Sequence, residues 1–167
     1  RTKTFDRLLS APVSINAVVL GESLSGFLYS LGIALVPLVA GLLIFGTAIL
    51  DILPLIAGLL LTSFCIASMG TLFAAYPTES PGDIMSMLNV VRLPLVFISG
   101  VFIPLSAIPP VAQIITYISP LTYGYDLILA AYTGTSHFDP MIDVIMLLAF
   151  ILFFQLLADR LYRKLNA

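Results

Sequence analysis

Charge is what this sequence has least of. Only 10% of its 167 residues are charged, against 60% hydrophobic, a balance far outside that of soluble globular chains and one that marks an integral membrane protein. Its one cysteine, Cys65, excludes an intrachain disulfide and any multi-cysteine zinc site, which leaves helix packing as its role. Its one histidine, His137, sits in a polar stretch where solvation rather than ligation is expected. No G-x-x-x-x-G-K-[ST] phosphate loop and no H-E-x-x-H motif occurs, so the chain encodes neither a nucleotide site nor a metalloprotease site of those kinds. An intramembrane aspartyl-protease pairing of Asp83 with Asp126 fails on motif, order and side. Ser80 stands where that motif needs glycine, and the two acids fall toward opposite faces of the membrane, whereas a proton-sharing pair must be a few ångströms apart. A secretory leader is lacking too, and Arg1 stands where an initiator Met would be, so a fragment without its N-terminal part is expected.

The few charges are placed with a bias. Arg1, Lys3 and Arg7 open the chain, Arg160, Arg163 and Lys164 close it, and Arg92 alone lies between. Basic residues near span ends favour the cytoplasmic side, so both ends and the Arg92 region are expected inside and the number of crossings even. Four apolar stretches meet that count, at 17–45, 54–76, 81–103 and 141–159. Gly26 and Ser30 in the first, and Ser63, Ala67 and Thr71 in the second, form small-residue faces suited to close helix packing. Pro37 permits a kink, and Glu22 is read as solvated near the inner interface. Ser80, Pro81 and Asp83 fit N-cap, N1 and N3 of the third span, and Arg92 is long enough to snorkel to the inner headgroups.

Residues 104–134 resist the same treatment. The stretch from Gly100 to Asp126 is apolar but carries Pro104, Pro109, Pro110 and Pro120, each of which removes an amide donor and clashes with the preceding turn. The freed carbonyls need partners within protein, so a re-entrant hairpin on the outer side is expected instead of a span. A fifth crossing would also put the basic tail outside. Two short helices are expected, from Pro110 to Ile118 and from Pro120 to Tyr132, with Ser119 as N-cap of the second and Gly134 after its end. Tyr117, Tyr123, Tyr125 and Tyr132 fall where an outer aromatic belt would lie. Asp126 is the acid with most at stake: either it faces a cavity or partner, or it stays near outer water. At the front, residues 1–14 read as an amphipathic helix with Phe5, Leu8 and Leu9 on one face and Asp6, Arg7 and Ser10 on the other, resting on headgroups or docking a soluble partner. The fold class is therefore an all-α membrane protein of four spans, an outer re-entrant hairpin and an N-terminal amphipathic helix.

Two blocks resemble a known family. Ser99-Gly100-Val101-Phe102-Ile103-Pro104-Leu105-Ser106 through Pro109, followed by Pro120-Leu121-Thr122-Tyr123, and earlier Thr4-Phe5-Asp6-Arg7-Leu8-Leu9-Ser10-Ala11-Pro12-Val13-Ser14, are similar to segments of the membrane subunit of ABC exporters of the ABC-2 type. The resemblance implies that the spans are helices three to six of a six-helix domain. It makes residues 1–14 a coupling helix, with Phe5, Asp6, Arg7, Leu8 and Leu9 docking on an ATPase subunit. The hairpin becomes the outer gate, with Gly100, Phe102, Pro104, Pro109, Pro120, Tyr123 and Asp126 its residues. It further implies two ATPase copies that bind the ATP and Mg, a second permease copy, identical or not, in the cell membrane, no catalytic or metal site on this chain and no nucleic acid. The cargo would be a hydrophobic or amphipathic compound, a polysaccharide or a lipid-linked glycan. A secondary transporter or channel fragment is the competing class, for which more charge along the span interiors would be expected. A membrane-anchored enzyme or assembly module is disfavoured by the lack of a catalytic cluster.

Overall fold

The helices begin and end where local chemistry dictates. In the computed structural model, which describes residues 14–76, 80–104 and 109–165, the order is α1 (Ile15–Phe45), α2 (Ile52–Ala74), α3 (Pro81–Ile98), α4 (Pro110–Thr116), α5 (Pro120–Thr133) and α6 (Pro140–Leu165). No strand occurs among the described residues. The expected coupling helix, save Ser14, lies outside them. Ser14 opens α1 by accepting the Ala17 amide. Gly46, at φ 59°, closes it in the left-handed conformation that glycine adopts without a Cβ clash. Asp51, read from the sequence only as part of an outer turn, is the N-cap of α2 and accepts the Leu53 amide at 3.0 Å. Ser80 caps α3 as expected, accepting from the Gly82 amide at 3.2 Å, with Asp83 in the first turn.

Three helices, α1, α2 and α6, are long and apolar enough to cross a membrane. Their 31, 23 and 26 residues exceed the roughly 20 that a hydrocarbon core requires. The third expected span is shorter than its sequence suggested. α3 stops at Ile98 instead of residue 103, has 18 residues with Asp83 and Arg92 among them, and is not one of the three. Ser99 turns back on the Val96 carbonyl, through its amide at 3.4 Å and its hydroxyl at 2.7 Å, and Gly100 at φ 92° leads the chain out of the helix.

α2 is the axis of the fold: α1, α3, α5 and α6 all pack on it. The two small-residue faces meet as expected, since a Cβ on Gly26 would come 3.3 Å from that of Ala67 and Ser23 donates its hydroxyl to Thr71 Oγ1 at 3.0 Å. Close approach of this kind replaces the hydrophobic drive that lipid does not supply between helices. One core cluster gathers Cys65, Tyr123, Leu127, Leu147 and Ile151, and a second gathers Val19, Ala75, Ala158 and Tyr162. The second cluster is pinned by polar contacts between α1 and α6: Tyr162 donates to Glu22 at 2.7 Å and Arg163 donates to Asn16 Oδ1 at 2.6 Å. Glu22 is thus half-buried and bonded rather than simply solvated. Leu28, Tyr29, Leu43 and Phe45 on α1 remain exposed, as suits side chains that face lipid tails.

The hairpin is tied to α3 by a residue with a different job from the one expected. Ser119 has the extended backbone of an N-cap but makes no side-chain cap bond. Its hydroxyl donates to the Leu95 carbonyl at 3.1 Å, one of the last four carbonyls of α3, which lack intrahelical amides. That need outweighs a cap, because the first amide of α5 is already removed by Pro120. Ser119→Ala is expected to lower stability by about 1 kcal/mol, read as a small drop in melting temperature of the detergent-solubilised protein; an unchanged melting curve would mean that the tie contributes nothing.

Candidate functional site

The α4–α5 pair closes its own corner first. Thr122 on α5 donates to the Thr116 carbonyl at 2.7 Å, and Tyr123 donates its hydroxyl to the Tyr117 carbonyl at 2.9 Å. Thr116 itself donates to the Gln113 carbonyl at 2.6 Å. These side chains satisfy carbonyls at the end of α4 that seven residues of helix cannot. Tyr123 is therefore a buried clasp, 4% exposed, and not part of an aromatic belt. Its ring packs beside Phe138 and Phe150, while Tyr117 is exposed and meets Phe138 edge-on, ring centres 5.5 Å apart.

The pair is then seated on the spans. Gly124 lies so close to Thr62 of α2 that any Cβ there would overlap the threonine hydroxyl and come 2.9 Å from its methyl group. Gly58, one turn earlier on α2, meets Leu127 and Ile128 with the same intimacy, at 3.1 and 3.3 Å from the position its own Cβ would take. At the far end of α5 the Ala131 carbonyl accepts the Leu50 and Asp51 amides from the α1–α2 turn, at 2.9 and 3.2 Å.

Asp126 holds the connection to α6. The carboxylate is 1% exposed and accepts the His137 amide on both oxygens, at 2.8 and 2.9 Å, and the Phe138 amide at 2.8 Å. Its two readings resolve into a third: it is buried, yet its partners are backbone amides of the loop joining α5 to α6. Charge-assisted bonds to main-chain N–H groups compensate a carboxylate for lost water. One side of it borders a cavity of about 200 Å³, lined also by Pro104, Tyr125, Ser136 and His137.

Of the residues expected at an outer gate, Pro120, Tyr123 and Asp126 are brought together in the buried seat. Pro104 meets Asp126 at the cavity, and Gly100 is buried at its turn. Phe102 is exposed and stacks on Phe97 with ring centres 5.1 Å apart, and Pro109 is exposed ahead of α4. Phe5, Asp6, Arg7, Leu8 and Leu9 lie outside the described residues. Arg92 is exposed, in keeping with a snorkelling side chain. Two residues of the seat were missed. Gly124 is invisible without its neighbour Thr62. Asp143 is 0% exposed in the first turn of α6 and had a signal, being an acid at the head of an apolar helix in a stretch with no Lys or Arg from 93 to 159.

Three membrane-length apolar helices, with α2 central among them and a short helix pair folded against α2 and α6, define an all-α membrane protein. A family model described as ABC-2 type transporter matches residues 1–133, and the chain belongs to that family. No curated protein and no solved structure matches it.

Proposed function

We propose that the chain is the permease part of an ATP-binding cassette exporter, with α4–α5 as its outer gate and residues 1–14 as the helix that docks on a separate ATPase subunit. The observation that supports the gate is the form of its seat. Two helices too short to span are fixed by bonds at discrete points, Ser119 to Leu95, the Ala131 carbonyl to the Leu50 and Asp51 amides, Asp126 to the His137 and Phe138 amides. A body held in this way can leave as a unit and return, which a bistable gate requires and one long helix does not permit. ATP-driven closure of two partner subunits would bias that equilibrium through the docking segment, whose last residue, Ser14, caps α1. The working unit pairs this permease with a second copy or a relative in the cell membrane, both ends of this chain inside. It moves a hydrophobic or amphipathic compound, a polysaccharide or a lipid-linked glycan outward, and the nucleotide and its Mg belong to the ATPase.

Changing Leu8 and Leu9 together to Asp in the full-length protein is expected to abolish ATPase co-purification and reduce ATP-driven export more than about tenfold, the loss of at least one interface anchor, while membrane insertion stays intact. Export and co-purification equal to wild type would defeat the docking role. An ion-coupled secondary transporter is the second reading, favoured by the buried acids Asp126 and Asp143; export driven by an ion gradient without any ATPase would establish it.

A further inference from the structure

Asp143 is a buried acid without a donor. It is 0% exposed, and neither carboxyl oxygen meets a hydrogen-bond donor. What faces it within hydrogen-bonding reach is a second acid, Asp126. Two carboxylates in contact repel and cannot both be ionised in a dry site, whereas a carboxyl and a carboxylate bond well through one shared proton. The surrounding bonds say where the proton sits. Both Asp126 oxygens already accept main-chain amides, whereas Asp143 has no such bond, so Asp143 is the member left to donate.

Among the described residues, no basic side chain stands in for the proton. The titratable neighbours are Asp139, ahead of α6, Tyr123 on the hairpin with Tyr117 beyond it, and Tyr125, which lines the cavity beside Asp126. Asp139 accepts the Met141 amide at 2.9 Å and Tyr123 donates to Tyr117, so neither supplies a proton to Asp143. α2 carries no acidic or basic residue from Ile52 to Ala74, only the thiol of Cys65, and no Lys or Arg occurs from 93 to 159. The His137 side chain is exposed, with its ring edge-on to Phe138 at 4.7 Å.

We propose that Asp126 and Asp143 form one proton-binding site, a carboxyl–carboxylate pair that fastens the α4–α5 hairpin to the last span and releases it when the proton leaves. Asp126 belongs to the hairpin and Asp143 to α6, so repulsion within the ionised pair acts across the very contact that the seat must break. The amides on Asp126 belong to the α5–α6 loop and move with it. Because release loses one proton, the released fraction rises with pH, by about tenfold per unit for as long as the seated pair keeps its proton and the released one does not. The site itself rests on geometry; the release rests on the outer-gate reading.

Two measurements on the full-length chain in nanodiscs separate these. Infrared spectra with isotope-labelled aspartate should show a protonated-carboxyl stretch at neutral pH that disappears in Asp143→Asn, whose amide can donate to Asp126 in the proton's place. Absence of that band in the wild type, or its persistence in the variant, would overturn the site. Should Asp143→Asn not insert, Asp143→Ser gives the same test. Second, in a Cys65→Ser background, an impermeant thiol reagent is applied to Ala130→Cys, which is buried on α5 while the hairpin is seated, and to Ala48→Cys in the α1–α2 turn, the latter correcting for thiolate formation. The ratio of the two rates should climb as pH rises in the wild type and stay flat in Asp143→Asn. A ratio that is flat in both overturns the release even where the band is present, and a ratio that follows sodium or calcium at fixed pH makes the pair a metal-cation site and overturns the proton assignment. Neither measurement touches ATP-driven export, which the Leu8 and Leu9 variant decides.

Discussion

Gly124→Val is expected to unseat the hairpin, lowering stability by about 3 kcal/mol or more and leaving a cysteine placed at the buried Ala130 position open to thiol reagents, with melting temperature and labelling rate as the readouts. The reason lies in which atoms collide. A Cβ at position 124 overlaps Thr62 Oγ1 and approaches Thr62 Cγ2 at 2.9 Å and Cβ at 3.0 Å. Rotating the threonine moves its hydroxyl and methyl group, but its Cβ is fixed to the α2 backbone, so the two helices must separate. Separation then strips Leu127 and Ile128 from Gly58, where a Cβ would already meet them at 3.1 and 3.3 Å. The partner of this collision offers the control. Thr62 Oγ1 is buried without a hydrogen-bond partner, so Thr62→Ala alone removes an unsatisfied hydroxyl and is expected to be neutral or stabilising. Combined with the smaller Gly124→Ala, it should restore most of what that substitution costs. Additive losses in the double variant would mean that the α2–α5 contact is looser than the structure shows.

The part of this architecture that was legible in the sequence is the part written in local chemistry. Ser80, Pro81 and Asp83 announce the start of α3, and Gly134 at φ 68° ends α5 as its position suggested. The prolines after Gly100 forecast two short helices in place of a span because each lost amide is a local fact. The apolar stretches gave both ends of α1 and α2 to within two residues and the start of α6 to within one, while α6 runs on past its apolar stretch to Leu165. What stayed hidden depends on pairs far apart in the chain: Glu22 with Tyr162, Gly124 with Thr62, Ser119 with Leu95. No period or cap rule reports such pairs. Tyr123 departs from the expected belt for a related reason, since a tyrosine's hydroxyl suits an interface and a buried carbonyl equally, and only the Tyr117 carbonyl at 2.9 Å decides for it. Asp126 shows the limit most clearly. Its cost in a membrane was readable, but its compensation comes from amides 11 and 12 residues further on, and these are main-chain atoms that every residue has.

Asp126→Ala should therefore cost more than the removal of one side chain would suggest, about 2–4 kcal/mol. It deprives the His137 and Phe138 amides of their acceptor and leaves Asp143 facing a void in which it has no hydrogen-bond partner at all. Asp126→Asn should be milder, since one carbonyl oxygen remains for the amides, yet it ends the acid pair. The decisive quantity is the coupling between the two positions. If the acids share a proton, Asp126→Ala and Asp143→Ala each break the same bond, and the double variant should lose about 1 kcal/mol less than the sum of the single losses. Stability measured for all four proteins in one detergent at neutral pH gives that number directly. Losses that simply add would place the two carboxyl groups out of contact and leave Asp126 as a loop anchor alone. A coupling that vanishes at alkaline pH, while the wild type itself weakens, would instead tie the seat of the hairpin to the proton it holds.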